Sequence, residues 1–128
     1  MSTILIVEDN RANMLLFSDL LSYHGHQILG ASTGMEGLAL ARAHSPDLIL
    51  MDIQLPDISG LEVINALRTE ERFRNTPIIA VTASVMPGEQ AGIRTAGFDA
   101  VIEKPIDFDG FLATVERHCG AGTEPAAR

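Results

Sequence analysis

The chain has 128 residues, 46% of them apolar and 20% charged, the size and balance of one globular domain, which excludes a wholly disordered chain. Seventeen acidic residues against nine basic give a net charge of −8, which repels phosphate backbones, argues against nucleic-acid binding, and favours cations and basic partner surfaces. The apolar runs are too short to span or insert into a membrane, Glu8 and Asp9 interrupt the N-terminal run before a signal peptide could form, and the lone Cys119 makes no internal disulfide, so a cytoplasmic location is expected.

Ile4–Val7 is a continuous β-rich run and reads as the first strand. A helix follows Asn10, a good N-cap, with Met14, Phe17, Leu20 and Leu21 at helical spacing and Gly25 suited to its C-terminal stop. Gln27–Ala31 is a weaker strand. Thr33-Gly-Met-Glu36 has the spacing of a capping box and opens a second helix through Leu38 and Ala41, ended before Pro46. Asp47–Met51 is the third strand. Leu61, Ile64 and Leu67 lie on one face of a third helix after Gly60, and the mixed charges Arg68, Glu70, Glu71, Arg72 and Arg74 read as its solvated end. Pro77–Val81 is the fourth strand. Ala83–Gly88 reads as a mobile connection into a fourth helix from about Pro87 to Gly97, with Met86 open to either a partner surface or a gap-filling role. Asp99–Ile102 is the fifth strand. The fifth helix follows Asp107 and puts Phe108, Phe111, Leu112, Val115 and Cys119 on one stripe. Residues 120–128 carry no large apolar side chain and are expected to be a flexible tail after a domain at 1–119.

Strands with continuous rather than alternating hydrophobicity are buried on both faces, as in a parallel sheet. Their alternation with helices implies a doubly wound α/β fold. Right-handed crossovers then bring the C-terminal ends of all strands to one sheet edge, where ligands bind in such folds.

Polar residues follow those ends. Strand 1 runs into Glu8-Asp9, strand 3 into Asp52, strand 4 into Thr82 and strand 5 into Glu103-Lys104-Pro105. The convergence sets three carboxylates, a hydroxyl and an ammonium in one shallow cleft. Two carboxylates about 5 Å apart repel by roughly 3 kcal/mol at an effective dielectric of 20, which a divalent cation relieves. Oxygen ligands without histidine or thiolate favour magnesium or manganese over zinc. A cation, an ammonium and a hydroxyl around a central carboxylate together resemble a phosphoryl-transfer site, in which aspartate itself can be the nucleophile.

Four stretches carry a family resemblance: Ile4–Asn10, Asp47–Gly60, Ile79–Ala83 and Ile102–Ile106. In this order and spacing the chain resembles a response-regulator receiver domain over about residues 2–119. Val7-Glu-Asp-Asn10 with Met51-Asp-Ile-Gln-Leu-Pro56 is similar to the DivK-type single-domain regulators and to the receivers of hybrid kinases. The resemblance implies a flavodoxin-like, five-stranded parallel sheet of order 2-1-3-4-5 with five helices. It implies that Asp52 accepts a phosphoryl group from a histidine kinase or a histidine phosphotransfer protein. Asp9 would hold Mg²⁺ (or Mn²⁺) directly and Glu8 through water, beside Asp52 and the backbone carbonyl of Gln54. Thr82 and Lys104 would engage the phosphoryl group, and Lys104–Pro105 would be cis. No output domain follows residue 119, so the expected output is contact with a downstream protein, or phosphate relay, through the face of helix 4, strand 5 and helix 5. One position departs from the pattern: Val101 stands where the family usually has an aromatic ring. Its short, stiff side chain cannot swing as that ring does. Displacement of Ala83–Gly88 and the fourth helix is therefore the expected signal.

Two other functions compete. A magnesium-dependent phosphatase with an aspartyl nucleophile shares the chemistry of Asp52, but needs an acid two residues later, where Gln54 cannot give a proton. A flavin-binding module fits poorly, with no tryptophan and carboxylates where a phosphate cradle belongs. The histidines at 24, 26, 44 and 118 lack ligand spacing; His24 and His118 suit helix C-termini.

Overall fold

Five parallel strands hydrogen-bond in the order β2-β1-β3-β4-β5 in a computed structural model that describes residues 2–83, 92, 93 and 95–119, except the side chain of Cys119. They are β1 (Thr3–Val7), β2 (Gln27–Ala31), β3 (Leu48–Asp52), β4 (Ile78–Thr82) and β5 (Ala100–Glu103). Register pairs Ile4 with Leu48, Ile49 with Ile78 and Ile79 with Ala100. The helices are α1 (Arg11–Tyr23), α2 (Gly34–His44), α3 (Gly60–Arg68) and α4 (Phe108–Cys119), with a 3₁₀ turn at Glu71–Phe73. Thus α4 is the fifth helix of the sequence reading. The expected fourth helix, the Ala83–Gly88 connection, Met86 and the 120–128 tail lie wholly or largely outside the described residues. The end of that helix is described, where the Ala96 N–H donates to the Gly92 carbonyl at 3.0 Å.

The strands are apolar throughout because each feeds two cores. Ile4, Ile6, Leu48, Leu50, Ile79 and Val81 pack with Phe17 and Leu21 of α1 and Phe111 and Val115 of α4. Their neighbours Leu5, Val7, Ile49, Met51, Ile78 and Ala80 face Leu38 and Ala41 of α2 and Val63, Ile64 and Leu67 of α3. This is the two-residue period of a strand with both faces covered. Phe17 and Phe111 stack with ring centroids 5.1 Å apart, joining α1 to α4. β2 is less buried because it is an edge strand.

Local signals hold at several ends. Asn10 caps α1 by accepting from the Asn13 N–H. Gly25 takes the positive φ of 92° that follows this helix. Three expectations change. Thr33 accepts from the Glu36 N–H, but the Glu36 carboxylate accepts from Ser32, one residue before the cap, so the reciprocal box is not made. The complete capping box is Ser59 with Glu62, at α3. Leu61, 38% exposed, and Phe108, 50% exposed, sit in the first turns of their helices at the rim of the sheet, outside the buried stripes.

Arg68 corrects the reading of a solvated helix end. Its side chain is only 19% exposed. It donates to the carbonyls of Phe73, Arg74, Thr76 and Gly97 and pairs with Asp99 at 3.0 Å. Backbone groups left unpaired by the turns between α3, β4 and β5 need a donor, and this fork supplies it.

Candidate functional site

Strand order turns back between β1 and β3, so their C-terminal ends open the crevice that doubly wound sheets use for ligands. Glu8 follows β1 there, and Asp52 closes β3. Both are nearly buried, at 2% and 5% exposure, whereas Asp9 is exposed. One carboxylate oxygen from each of Glu8, Asp9 and Asp52 lies within 4.8 Å of the others. Lys104, just past β5, brings its Nζ to 3.1 Å from Glu8 Oε1 and 3.3 Å from Asp52 Oδ2. Thr82 is buried at the end of β4, in register with Glu103. The Lys104–Pro105 peptide is cis.

The carboxylates are unequal. Asp52 Oδ1 accepts from the Gln54 N–H at 3.0 Å, which turns the chain sharply out of β3. Glu8 Oε2 accepts from the Asn10 N–H at 3.1 Å. Glu8 Oε1 is buried and accepts no hydrogen bond among the described residues, although the ammonium is near. Burial first, then repulsion from Asp52, pushes the Glu8 carboxyl above its usual range, against the opposing pull of Asn10 and Lys104. Burial works against the Lys104 charge, but Asp52 and Glu8 together outweigh it and hold its pKa above the ordinary lysine value.

A buried carboxylate oxygen that accepts no hydrogen bond among the described residues, beside two further carboxylates, is a place for a hard cation. The all-oxygen donor set fits magnesium or manganese. A cavity of about 290 Å³ opens on the side of Thr82 and Gln54, walled by Ile53, Leu61, Ile93 and Ala96.

The sequence missed two long-range contacts, one beside this site and one at the opposite edge of the sheet. Asp57 reaches the start of α2, accepting from the N–H groups of Gly34 at 2.8 Å and Met35 at 2.9 Å. The only local signal was an acid in a turn. His26, before β2, bonds Glu116 of α4 at 2.8 Å; no spacing pattern announces a pair ninety residues apart. His24 and His118 bond carbonyls of their own helices, Leu20 and Thr114, as residues at helix ends do.

The family model for the response regulator receiver domain matches residues 4–116. The chain is 48% identical over 118 residues to the polar-differentiation response regulator DivK of Brucella ovis, covering 92% of this chain and 96% of that protein. Among solved structures it is similar to chemotaxis protein CheY4 of Vibrio cholerae, with TM-score 0.87, 27% identity, and 92% and 98% of the two chains covered. A second is the receiver domain of a sensor histidine kinase from Pseudomonas aeruginosa, crystallised with a magnesium ion coordinated in its active-site cleft. Its TM-score is 0.86 at 29% identity, over 93% of this chain and 98% of that one.

Proposed function

The chain belongs to the response-regulator receiver domain family of two-component signalling, and on that premise we propose that Asp52 is its phosphoacceptor and that phosphorylation switches its contacts with other proteins. The observation that carries this reading is the setting of Asp52: nearly buried, beside the Lys104 ammonium, and clustered with Glu8 and Asp9.

Asp52 attacks the phosphorus of a phosphohistidine on a kinase or histidine phosphotransfer protein. The P–N bond breaks, the imidazole leaves, and an aspartyl phosphate remains. Magnesium, when bound by Asp9, Asp52, the Gln54 carbonyl and, through water, Glu8, supplies positive charge beside the transferring group. Lys104 leaves its carboxylate partners for a phosphoryl oxygen. Thr82 donates its hydroxyl to another. The new group brings about −1.5 to −2 of charge, which these cations and donors accommodate. The protein acts as a phosphoacceptor with slow self-dephosphorylation, not as a turnover enzyme, and works in the cytoplasm.

The inward pull on Thr82 shifts a two-state equilibrium in the segment that follows β4. The surface read by a downstream protein is the face expected of the fourth predicted helix, β5 and α4, of which β5 leads into Lys104 and pairs with the strand that ends in Thr82. Val101 is half-buried in β5 and packs on the core of α2 and α3, so no ring takes part.

Mass spectrometry after acetyl phosphate and magnesium is expected to find one added phosphoryl group, absent in Asp52→Asn. The same adduct in that variant overturns the assignment.

A further inference from the structure

Between Asp52 and α3 the chain passes through residues 53–59, which carry Gln54, the proposed backbone ligand of the metal. This segment is held at three places. The Gln54 N–H donates to Asp52 at 3.0 Å. The Gly60 N–H donates to the Ile53 carbonyl at 2.8 Å, closing the base of the loop. Midway, Asp57 is clamped to α2, Oδ1 by the Gly34 N–H and Oδ2 by the Met35 N–H. Both oxygens take charge-assisted bonds from adjacent donors at a helix N-terminus, a two-point grip that fixes orientation as well as distance. The Met35 bond foremost, with those from Gly34 and the loop's own backbone, holds the Asp57 carboxyl below its ordinary pKa.

The grip is built for closeness. A Cβ on Gly34 would stand 2.6 Å from Ile58 Cγ1 and 2.9 Å from Val63 Cγ2, so the bare glycine lets the loop dock on the helix. Between Gln54 and Asp57 lie only Leu55 and Pro56. The proline ring fixes its own φ and restricts Leu55 before it, so a fixed Asp57 leaves Gln54 little freedom. Helix α2 packs in turn on Val7, the residue before Glu8, where a Cβ on Gly37 would come within 2.8 Å of Val7 Cγ2. The clamp therefore ties the loop that bears one proposed ligand to the strand that bears two others.

We propose that Asp57 is a positioning residue for the metal site: by binding the first turn of α2 it holds Gln54 in place beside Asp52 and so strengthens magnesium binding without touching the ion. The proposal rests on the metal reading above. Releasing the backbone of one or two residues gives back conformational freedom worth roughly a factor of five to thirty per residue in an equilibrium constant.

The test is magnesium titration by calorimetry on the full chain and on Asp57→Ala, Asp57→Asn, Thr33→Ala and Asp9→Ala. Thr33→Ala removes the other cap of α2, the bond from the Glu36 N–H, and leaves the loop clamped. Asp57→Ala is expected to raise the magnesium dissociation constant about five-fold or more, the lower end of the range for one released residue. Asp57→Asn, which keeps one acceptor oxygen and serves if the alanine variant does not fold, is expected to fall between it and the parent. Thr33→Ala is expected to lower the melting temperature while keeping the parent's constant. Amide exchange at Gly34 and Met35 is expected to speed up in Asp57→Ala. An unchanged constant in the Asp57 variants, or an equal change in Thr33→Ala, overturns the positioning role. A parent that binds no magnesium, or binds it equally well as Asp9→Ala, overturns the metal reading and this proposal with it.

Discussion

Lys104→Met removes the ammonium that lies within 4 Å of both Glu8 and Asp52 and keeps most of the apolar stem. Removing one partner of a buried ion pair typically costs about 3–5 kcal/mol, because the remaining charge stays buried and unpaired. Here a proton limits the damage. Glu8 already has a raised pKa from burial and from Asp52, and losing the lysine, which pulls it down, raises it further, so the carboxyl takes up a proton more readily. The unfolded chain releases that proton near the ordinary value of 4.5. Holding it in the folded state therefore costs about 1.4 kcal/mol for each pH unit above that value. The loss in Lys104→Met is then about 3 kcal/mol near pH 7, the low end of the cost of breaking a buried pair, and shrinks as pH falls toward the ordinary carboxylate range. The sign follows from the protons: the folded variant binds more of them than the unfolded chain, so stability falls as pH rises. Urea unfolding of parent and variant from pH 5 to 7, with chelator and then with saturating magnesium, measures both the slope and its relief. Magnesium is expected to restore part of the loss, since it takes the place of the missing positive charge. A cost that is flat across this range, or indifferent to magnesium, refutes the reasoning.

Further outcomes follow from other contacts. Asp9→Ala is expected to leave metal-free stability within about 0.5 kcal/mol, since the residue is exposed, yet to abolish the rise in melting temperature that magnesium gives the parent. Gly60→Ala places a Cβ 2.5 Å from the Asp52 carbonyl oxygen and is expected to cost about 2–3 kcal/mol in chemical unfolding. Gly37→Ala brings a Cβ to 2.8 Å and 3.2 Å from the two methyls of buried Val7, and a gain of about 1 kcal/mol in helix propensity offsets part of that strain, so its cost is expected to be the smaller of the two; the reverse ranking contradicts the packing described. Arg68→Ala strips the turns around β4 of their shared donor and is expected to cost about 3 kcal/mol, seen as a midpoint lower by about 10 °C. The folded fraction of that variant is expected to gain the same acetyl phosphate adduct as the parent, because Arg68 serves the sheet edge opposite Asp52.

Much of the molecule was legible from local chemistry. Ile4–Val7, Leu48–Met51 and Ile78–Val81 are apolar in succession because helices cover both faces of their strands, and that pattern is a property of the segment alone. Glu8, Asp52 and Thr82 stand directly after apolar runs and Lys104 one residue further on, so parallel pairing brings them to one edge whatever the loops do. Asn10 and Gly25 serve backbone geometry within a few residues of themselves. The tertiary structure decided what depends on a distant partner. Arg68 reads as one more surface charge until the Gly97 carbonyl and Asp99, about thirty residues on, close around it. Asp57 reads as a turn residue until α2, more than twenty residues back, presents two N–H groups to it. Leu61 and Phe108 have the spacing of core residues, but their helices begin at the rim of the sheet, and in these first turns the two side chains stay partly exposed. Periodicity states which side of a helix is apolar; how far along that side the core extends is set by where the sheet ends.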